Sequence, residues 1–398
     1  MADPLLRYRE GFPILGRTTY LISNSLGAMP AEVAAGMASY ADTWATRGVR
    51  AWAEEWWTMP ARVGDLVAPL LGARPGTVSM HTNVTLATAV FLSCLAPGRG
   101  RDKVVSTALQ FPSILYLLER WCGGNGARLE IVPAEDGIGA DPERLLDAID
   151  GSTLAVAISH AEFRSAYVND AAAVARRCRE TGALLLLDVF QSAGILPIEA
   201  EKWGVDACVG GCLKWLCGGP GNVFLQVDPA LARRLEPRLT GWMAHPQPFS
   251  FEGPPMRWRE DSYRFLNGTP PIPCLYAAEP GLRLHNEIGV RAIREKSKRM
   301  TKLLCDEAGA RGYRVHAPLD PERRGGTVAI DAPHGELVSK ELLARDIVVD
   351  YRPGAGIRVA PHFYNTEDEC RRAVSEIAEI LATKAYARHG SSKGAMPT

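Results

Sequence analysis

Residues Leu184–Gly221 read LLLLDVFQSAGILPIEAEKWGVDACVGGCLKWLCGGPG. Four leucines in succession, without polar alternation, predict a strand buried on both faces, and Asp188 ends it. A second apolar run, Ala207–Gly210, is followed by Lys214 and then by a GGPG turn. Working outward from that first strand, Ala183–Asp188, similar runs at Val104–Thr107, Leu129–Val132, Leu154–Ser159 and Val223–Val227 predict further strands. Helical signals lie between them. Asp141 before Pro142 is an N-cap followed by proline at the first helical position, and Asn169 or Asp170 caps a helix running to about Glu180. Strands alternating with helices predict an α/β fold with a mostly parallel sheet. In such a sheet the strand C-termini open onto the ligand crevice, so Asp188 and Lys214 both point to one edge.

After about Gly241 the composition changes. Pro246, Pro248, Pro254, Pro255, Pro270, Pro271 and Pro273 crowd a loop-rich connection. A long charged helix is predicted from about Ala277 to Ala308. A strand at Gly326–Asp331, a helix at Glu336–Ala344 and short strands near Val348 and Ile357–Val359 follow. Thr366 with Glu369 forms a capping-box signature for a last helix. The predicted organisation is an arm and substrate-mouth segment over 1–60, a large domain over 61–275, a smaller α+β domain over 276–385, and a disordered tail over 386–398.

The chain has 398 residues, 46% of them apolar and 23% charged, which excludes wholesale disorder. Lys plus Arg and Asp plus Glu are 45 each, so no basic excess points to nucleic acid. No apolar run reaches the ~18 residues of a membrane span. The start, MADPLLRYREGF, lacks an apolar signal core, and nine scattered cysteines suit a reducing compartment. A cytoplasmic protein without nucleic-acid or membrane partners is expected.

An acid and a lysine at neighbouring strand ends, with glycines permitting close backbone approach, suit pyridoxal 5′-phosphate. That cofactor needs a lysine to link it and an acid to keep its ring nitrogen protonated. The same residues fit a structural aspartate and a surface lysine before a turn, and spacing alone does not choose. GGPG lacks the P-loop pattern, and no GxGxxG opens the sheet. Cys208, Cys212 and Cys217 have neither a metal-ligand spacing nor a histidine, so no metal is expected. His160 and Glu162 follow a strand end and could face a ligand.

Motifs along nearly the whole chain resemble the class V aminotransferase family (fold type I), and particularly its kynureninase branch. They are ISNSLGAMP (Ile22–Pro30), the run from Asn83 through Ser93, QFPS (Gln110–Ser113), the Asp188–Lys214 segment, LNGTPP (Leu266–Pro271) and IRVAPHFYN (Ile357–Asn365). The resemblance implies a fold type I PLP-dependent transferase fold, with a seven-stranded-type sheet. It assigns Lys214 and Asp188 to catalysis and Thr82 and Asn83 to the phosphate, where a helix N-terminus offers free N–H groups. It makes Phe111 the ring-stacking residue and lets Gln191 reach the phenolic oxygen. Trp242 and Thr269 would reach the phosphate from the neighbouring subunit of a homodimer. Arg358 would grip the substrate's carboxylate bidentately, with Asn24 also on the substrate side. Apart from the resemblance, Trp44, Trp52, Trp56 and Trp57 with Arg47 and Arg50 suit either the lining of a substrate mouth, with Trp52 on the substrate side, or an interface stripe.

Three positions depart from the kynureninase pattern. Gln191 stands where that branch has His and resembles cysteine desulfurases instead. Leu213 replaces a tyrosine before the lysine, and no histidine occurs between Met1 and Met80, where one would meet the aromatic part of kynurenine. The expected function is a kynureninase-like Cβ–Cγ lyase acting on an amino acid other than kynurenine. A C–S lyase or desulfurase, an epimerase and an aminotransferase are the alternatives. A desulfurase would need a mobile loop cysteine, for which Cys274, Cys305 and Cys370 are candidates. A catalytically inactive binding protein on the same fold is the rival from another class.

Overall fold

A computed structural model describes residues 3–390. A two-residue strand, β1 (Thr19–Tyr20), comes first. Seven strands then build the large sheet: β2 (Val78–His81), β3 (Lys103–Thr107), β4 (Arg128–Val132), β5 (Thr153–Ser159), β6 (Leu184–Asp188), β7 (Ala207–Gly211) and β8 (Val223–Val227). Their spatial order is β2-β8-β7-β6-β5-β3-β4. Pairings from β7 to β4 are parallel, and β8 runs antiparallel to both β7 and β2. Six strands therefore share one direction, and their C-terminal ends form one edge.

The leucine run explains itself in this sheet. Leu185 and Leu187 join the core on one face, with helix Met59–Val67 and helix Ala171–Thr181; Leu186 joins the opposite core, under helices Val84–Ser93 and Pro112–Asn125. Both faces are covered, so both sets of side chains are apolar. The predicted caps form: Asp141 accepts from the N–H groups of Glu143 and Arg144, and Asp170 rather than Asn169 caps its helix.

Five short strands follow: β9 (Arg314–Val315), β10 (Val328–Asp331), β11 (Ile347–Val348), β12 (Asp350–Arg352) and β13 (Gly356–Val359). Four of them form an antiparallel sheet, β12-β13-β10-β9, and β11 pairs with β1. The N-terminal arm thus docks on the C-terminal region, with Ile22 bridging to Ala360. The capping box of Thr366 and Glu369 starts helix Glu367–Thr383.

Two expectations are corrected and one strand is added. The long helix from Ala277 to Ala308 is two helices, Ile272–Ile288 and Val290–Ala310, because Gly289 takes a φ of +82° between them. β2 was not predicted from the sequence. The tail expected from 386 does not begin there: Ala385–His389 is a 3₁₀ turn, tied down where Arg388 and His389 bond Glu341. Residues 391–398, the rest of that tail, lie outside the described residues.

Candidate active site

Lys214 lies in the turn after β7, and four contacts fix that turn. The Leu213 carbonyl accepts the Gly27 N–H at 2.8 Å, and the Lys214 carbonyl accepts the Cys217 N–H at 3.1 Å. Trp215, fully buried, donates its indole N–H to Gln191 Oε1 at 3.0 Å, while its carbonyl accepts from His362 Nε2 at 2.7 Å. Position 27 must be glycine, since a Cβ there would sit 2.1 Å from the Lys214 carbonyl. The backbone is pinned while the side chain is left without a hydrogen-bonding partner among the described residues. Its Nζ lies 4.7 Å from the centre of the Phe190 ring and 5.8 Å from that of Phe111. Burial, and then the nearby Arg358 charge, push its pKa down to about 8, against the pull of Asp188.

Asp188 ends β6 and is buried. Burial pushes its carboxyl up to about 6, and the Phe190 N–H at 2.9 Å and the Lys214 charge oppose that rise. At neutral pH it is mostly ionised. Gly211 on β7 and His81 on β2 are both registered on Val223 of β8. Two strand spacings, roughly 10 Å, therefore separate the end of β7 from Thr82 and Asn83. Asn83 caps helix Val84–Ser93 by accepting from Leu86 N–H, and both residues are exposed on this edge. Phe111 is also at a helix start, with its ring 40% exposed, and Phe163 meets it edge-on at 5.3 Å.

Gln191 is buried and already engaged. Its Nε2 donates to the Asn24 carbonyl at 3.0 Å and its Oε1 accepts from Trp215, so one amide hydrogen is left for a ligand. Arg358 is buried on β13 and bound to Asp350 on β12. Its Nε and Nη2 meet the two carboxylate oxygens at 2.7 and 2.5 Å, Nη1 meets the Phe163 carbonyl, and Nη2 also meets Ser25 Oγ. Four of its five N–H donors are in use. A bidentate grip through the Nε–Nη2 edge is therefore closed, because Asp350 fills that edge.

Trp52 packs edge-on against Trp56 and against the core under helix Met59–Val67. Among the described residues no ring contact or hydrogen bond joins it to Lys214, Phe111 or Arg358. Trp242 and Thr269 are exposed on adjoining loops, linked where Met243 N–H donates to the Asn267 carbonyl. Sequence reasoning missed Phe190, Gln110, Ser25 and Asp350. Phe190 lies two residues past Asp188, a short-range signal, whereas Asp350, eight residues before Arg358, meets it only through the register of β12 and β13.

Several buried polar atoms in this region have no partner: both side-chain atoms of Asn24, Nε2 of Gln110 and Oε2 of Glu162. Buried polar atoms without a protein partner need one from outside the chain, whether a ligand, an ion or water. Together with an ionised acid, an amine without a hydrogen-bond partner, an open aromatic ring and a helix N-terminus, they fit pyridoxal 5′-phosphate. Among the described residues no cluster of His, Cys, Asp or Glu converges as a metal site.

This donor set, on this sheet edge, defines a pyridoxal-phosphate-dependent enzyme. The family model for aminotransferase class-V matches residues 19–372, so the chain belongs to that family. It is 31% identical to a kynureninase of Burkholderia pseudomallei (strain 1106a), covering 96% of this chain and 94% of the relative. It is 32% identical to the uncharacterized aminotransferase YcbU of Bacillus subtilis (strain 168), over 94% of this chain and 97% of the relative. The fold is shared with a cysteine desulfurase from Thermococcus onnurineus NA1 at a TM-score of 0.83 and 20% identity, covering 96% of this chain and 99% of that one. It is likewise shared with the cystine C-S lyase C-DES, at a TM-score of 0.83 and 20% identity, over 92% and 99% of the two chains.

Proposed function

We propose that the protein cleaves the Cβ–Cγ bond of an amino acid in the manner of a kynureninase, with a side-chain preference of its own. The observation that carries the lyase reading over a desulfurase is the state of the three candidate thiols. Cys274, Cys305 and Cys370 all lie within helices, and burial raises the pKa of each. None is a loop thiolate ready to accept sulfur. Gln191 in place of His keeps a C–S lyase without a sulfur-accepting cysteine as the second reading.

Bound pyridoxal phosphate supplies an electron-withdrawing ring next to the substrate's Cα. Asp188 holds the proton on the ring nitrogen. Lys214 would hold the cofactor and, as a free amine, would take the proton from the substrate's Cα; its lowered pKa keeps a useful fraction neutral for this. Thr82, Asn83 and the N–H groups of the first turn of helix Val84–Ser93 take the phosphate, and Phe111 covers the ring. The remaining Nη1 hydrogen of Arg358 and the side-chain amide of Asn24 hold the substrate's carboxylate. The partner's copies of two exposed residues, Trp242 and Thr269, complete the phosphate site in a homodimer.

Product analysis over a panel of aromatic, acidic and sulfur-containing amino acids tests the reading. Alanine plus the carboxylic acid formed when water takes up the released acyl group supports it. Pyruvate, an inverted amino acid or a keto acid would replace it with a C–S lyase, an epimerase or an aminotransferase.

A further inference from the structure

Glu162 is 1% exposed and lies three residues beyond the end of β5, beside Asp188 at the end of β6. The two strand ends are locked together, with Ser159 registered on Asp188 and the His160 N–H donating to the Asp188 carbonyl at 2.7 Å. Two carboxyls thus share one buried corner. Around Glu162 the polar contacts are one-sided. Oε1 accepts the Asn169 amide at 2.9 Å and, weakly, the Thr107 hydroxyl at 3.4 Å. Oε2 is buried and has no partner.

We propose that Glu162 is a neutral carboxylic acid whose Oε2–H donates a hydrogen bond to an anionic oxygen on the ring of bound pyridoxal phosphate. The proposal rests on the cofactor reading of this crevice. An ionised carboxylate would seek donors on both oxygens, whereas an acid presents one carbonyl oxygen to accept and one O–H to donate. The contact pattern is that of the acid. No cation offsets a charge here: Asn169 and Thr107 are neutral, and Arg358 bonds the neighbouring Phe163 carbonyl. Of the titratable neighbours, His160 is buried and held neutral, Tyr167 presents its carbonyl to the Glu162 N–H, and Asp188 is anionic. Burial and Asp188 both hold the Glu162 proton on, up to about pH 8. Gln191, with most of its amide engaged, leaves the ring oxygen in need of a second donor.

The test compares the wild type with Glu162→Gln and Glu162→Ala, each reconstituted with pyridoxal phosphate. The cofactor dissociation constant and the pH midpoint of the visible absorbance of the Lys214-linked cofactor are measured. Glutamine keeps a donor and no charge, so both values should stay within about threefold and a few tenths of a pH unit. Alanine removes the donor, so affinity should fall about tenfold or more and the midpoint should rise, because the anionic ring oxygen loses stabilisation. A midpoint that falls in both variants would reveal a lost negative charge and overturn the proposal, as would an alanine variant indistinguishable from wild type. If the alanine variant does not fold, Glu162→Leu replaces it. Infrared difference spectra of cofactor-free wild type against Glu162→Gln test the proton independently. A protonated-carboxyl band that vanishes in the variant supports the proposal, and its absence at pH 7 overturns it. A wild type that takes up no pyridoxal phosphate would instead overturn the cofactor reading itself.

Discussion

Asp350 holds Arg358 through both carboxylate oxygens, with Asp350 completely buried and Arg358 nearly so. The pair is built by the antiparallel register of β12 and β13, which sets these two residues opposite each other. Ser25, which donates to Asp350 and accepts from Arg358, ties it to the N-terminal arm. Burial opposes the charge on Asp350, and the two arginines, Arg358 and Arg352, hold its pKa below the ordinary carboxylate value all the same.

Breaking this pair from either side has different consequences. Asp350→Ala strands a buried guanidinium and should cost about 3–5 kcal/mol of stability, read from urea midpoints. Arg358→Lys keeps a charge for Asp350 but loses the planar fork. It should fold and bind every amino-acid substrate roughly ten- to hundredfold more weakly, by a similar factor for each. An Arg358→Lys protein with unchanged specificity constants would place the carboxylate elsewhere.

Capture of the cofactor should depend on pH through Lys214. Only the neutral amine attacks an aldehyde, and its fraction rises with pH through the lysine's own pKa of about 8. At pH 7 roughly a tenth of Lys214 is reactive, against fewer than about one in a thousand for an ordinary lysine at ~10.4. The rate at which absorbance of the linked cofactor appears should therefore climb between pH 6 and 8 and level off above 9. Borohydride should fix the cofactor to Lys214, and Lys214→Ala should fold but gain no covalent label. Asp188→Asn should lose about a hundredfold or more in turnover, the order expected when a charge aimed at the reacting system is removed.

The residues that announced themselves in the sequence are those whose role is set by the sheet. β6 and β7 are apolar on both faces, so they are visible without alternation, and an acid or lysine at the end of such a strand must emerge at the crevice. β2 was hidden because its Ser79 and His81 are buried yet polar, satisfying each other at 2.9 Å. Contacts between distant segments carry no local signal either. Gln191 spends its amide on Asn24, 167 positions away, and the partner of Arg358 follows from a register that no periodicity reveals. Trp52, grouped with the substrate mouth by its aromatic neighbours, packs partly buried against the core.

Trp52→Ala should therefore act on stability. A large side chain packed against Trp56 and the underlying core typically costs about 3–5 kcal/mol when fully buried, and somewhat less here because it is only partly so. Its ranking of amino-acid substrates should match the wild type. A changed ranking at unchanged thermal stability would return Trp52 to the substrate side.

The proposed homodimer makes a sharper prediction. Trp242 is 41% exposed within a patch shared with Trp57 and Phe249, an aromatic surface of the kind that subunit interfaces use. If Trp242 serves the partner's phosphate site, Lys214→Ala and Trp242→Ala proteins are each impaired, but a mixed dimer contains one site with both residues intact. Mixing with verified exchange should restore up to about a quarter of wild-type activity, since half the dimers are mixed and each has one good site. No recovery would mean that each chain builds its site alone.

The cysteines give the last test, and it addresses the reaction directly. Sulfur transfer to protein requires a thiolate that can reach the substrate. Cys370 is completely buried on helix Glu367–Thr383, while Cys274 and Cys305 are partly covered within their own helices. Burial favours the protonated thiol in each. A protein carrying Cys274→Ser, Cys305→Ser and Cys370→Ala should accordingly keep its turnover to within about twofold on its best substrate. Its stability should drop by only about 1 kcal/mol, since Cys370→Ala removes one small buried group. The measurement is steady-state turnover of the triple variant beside its denaturation midpoint. Loss of activity with the fold intact would mean that one of these thiols takes part in the chemistry, and the protein would then have to be read as a desulfurase.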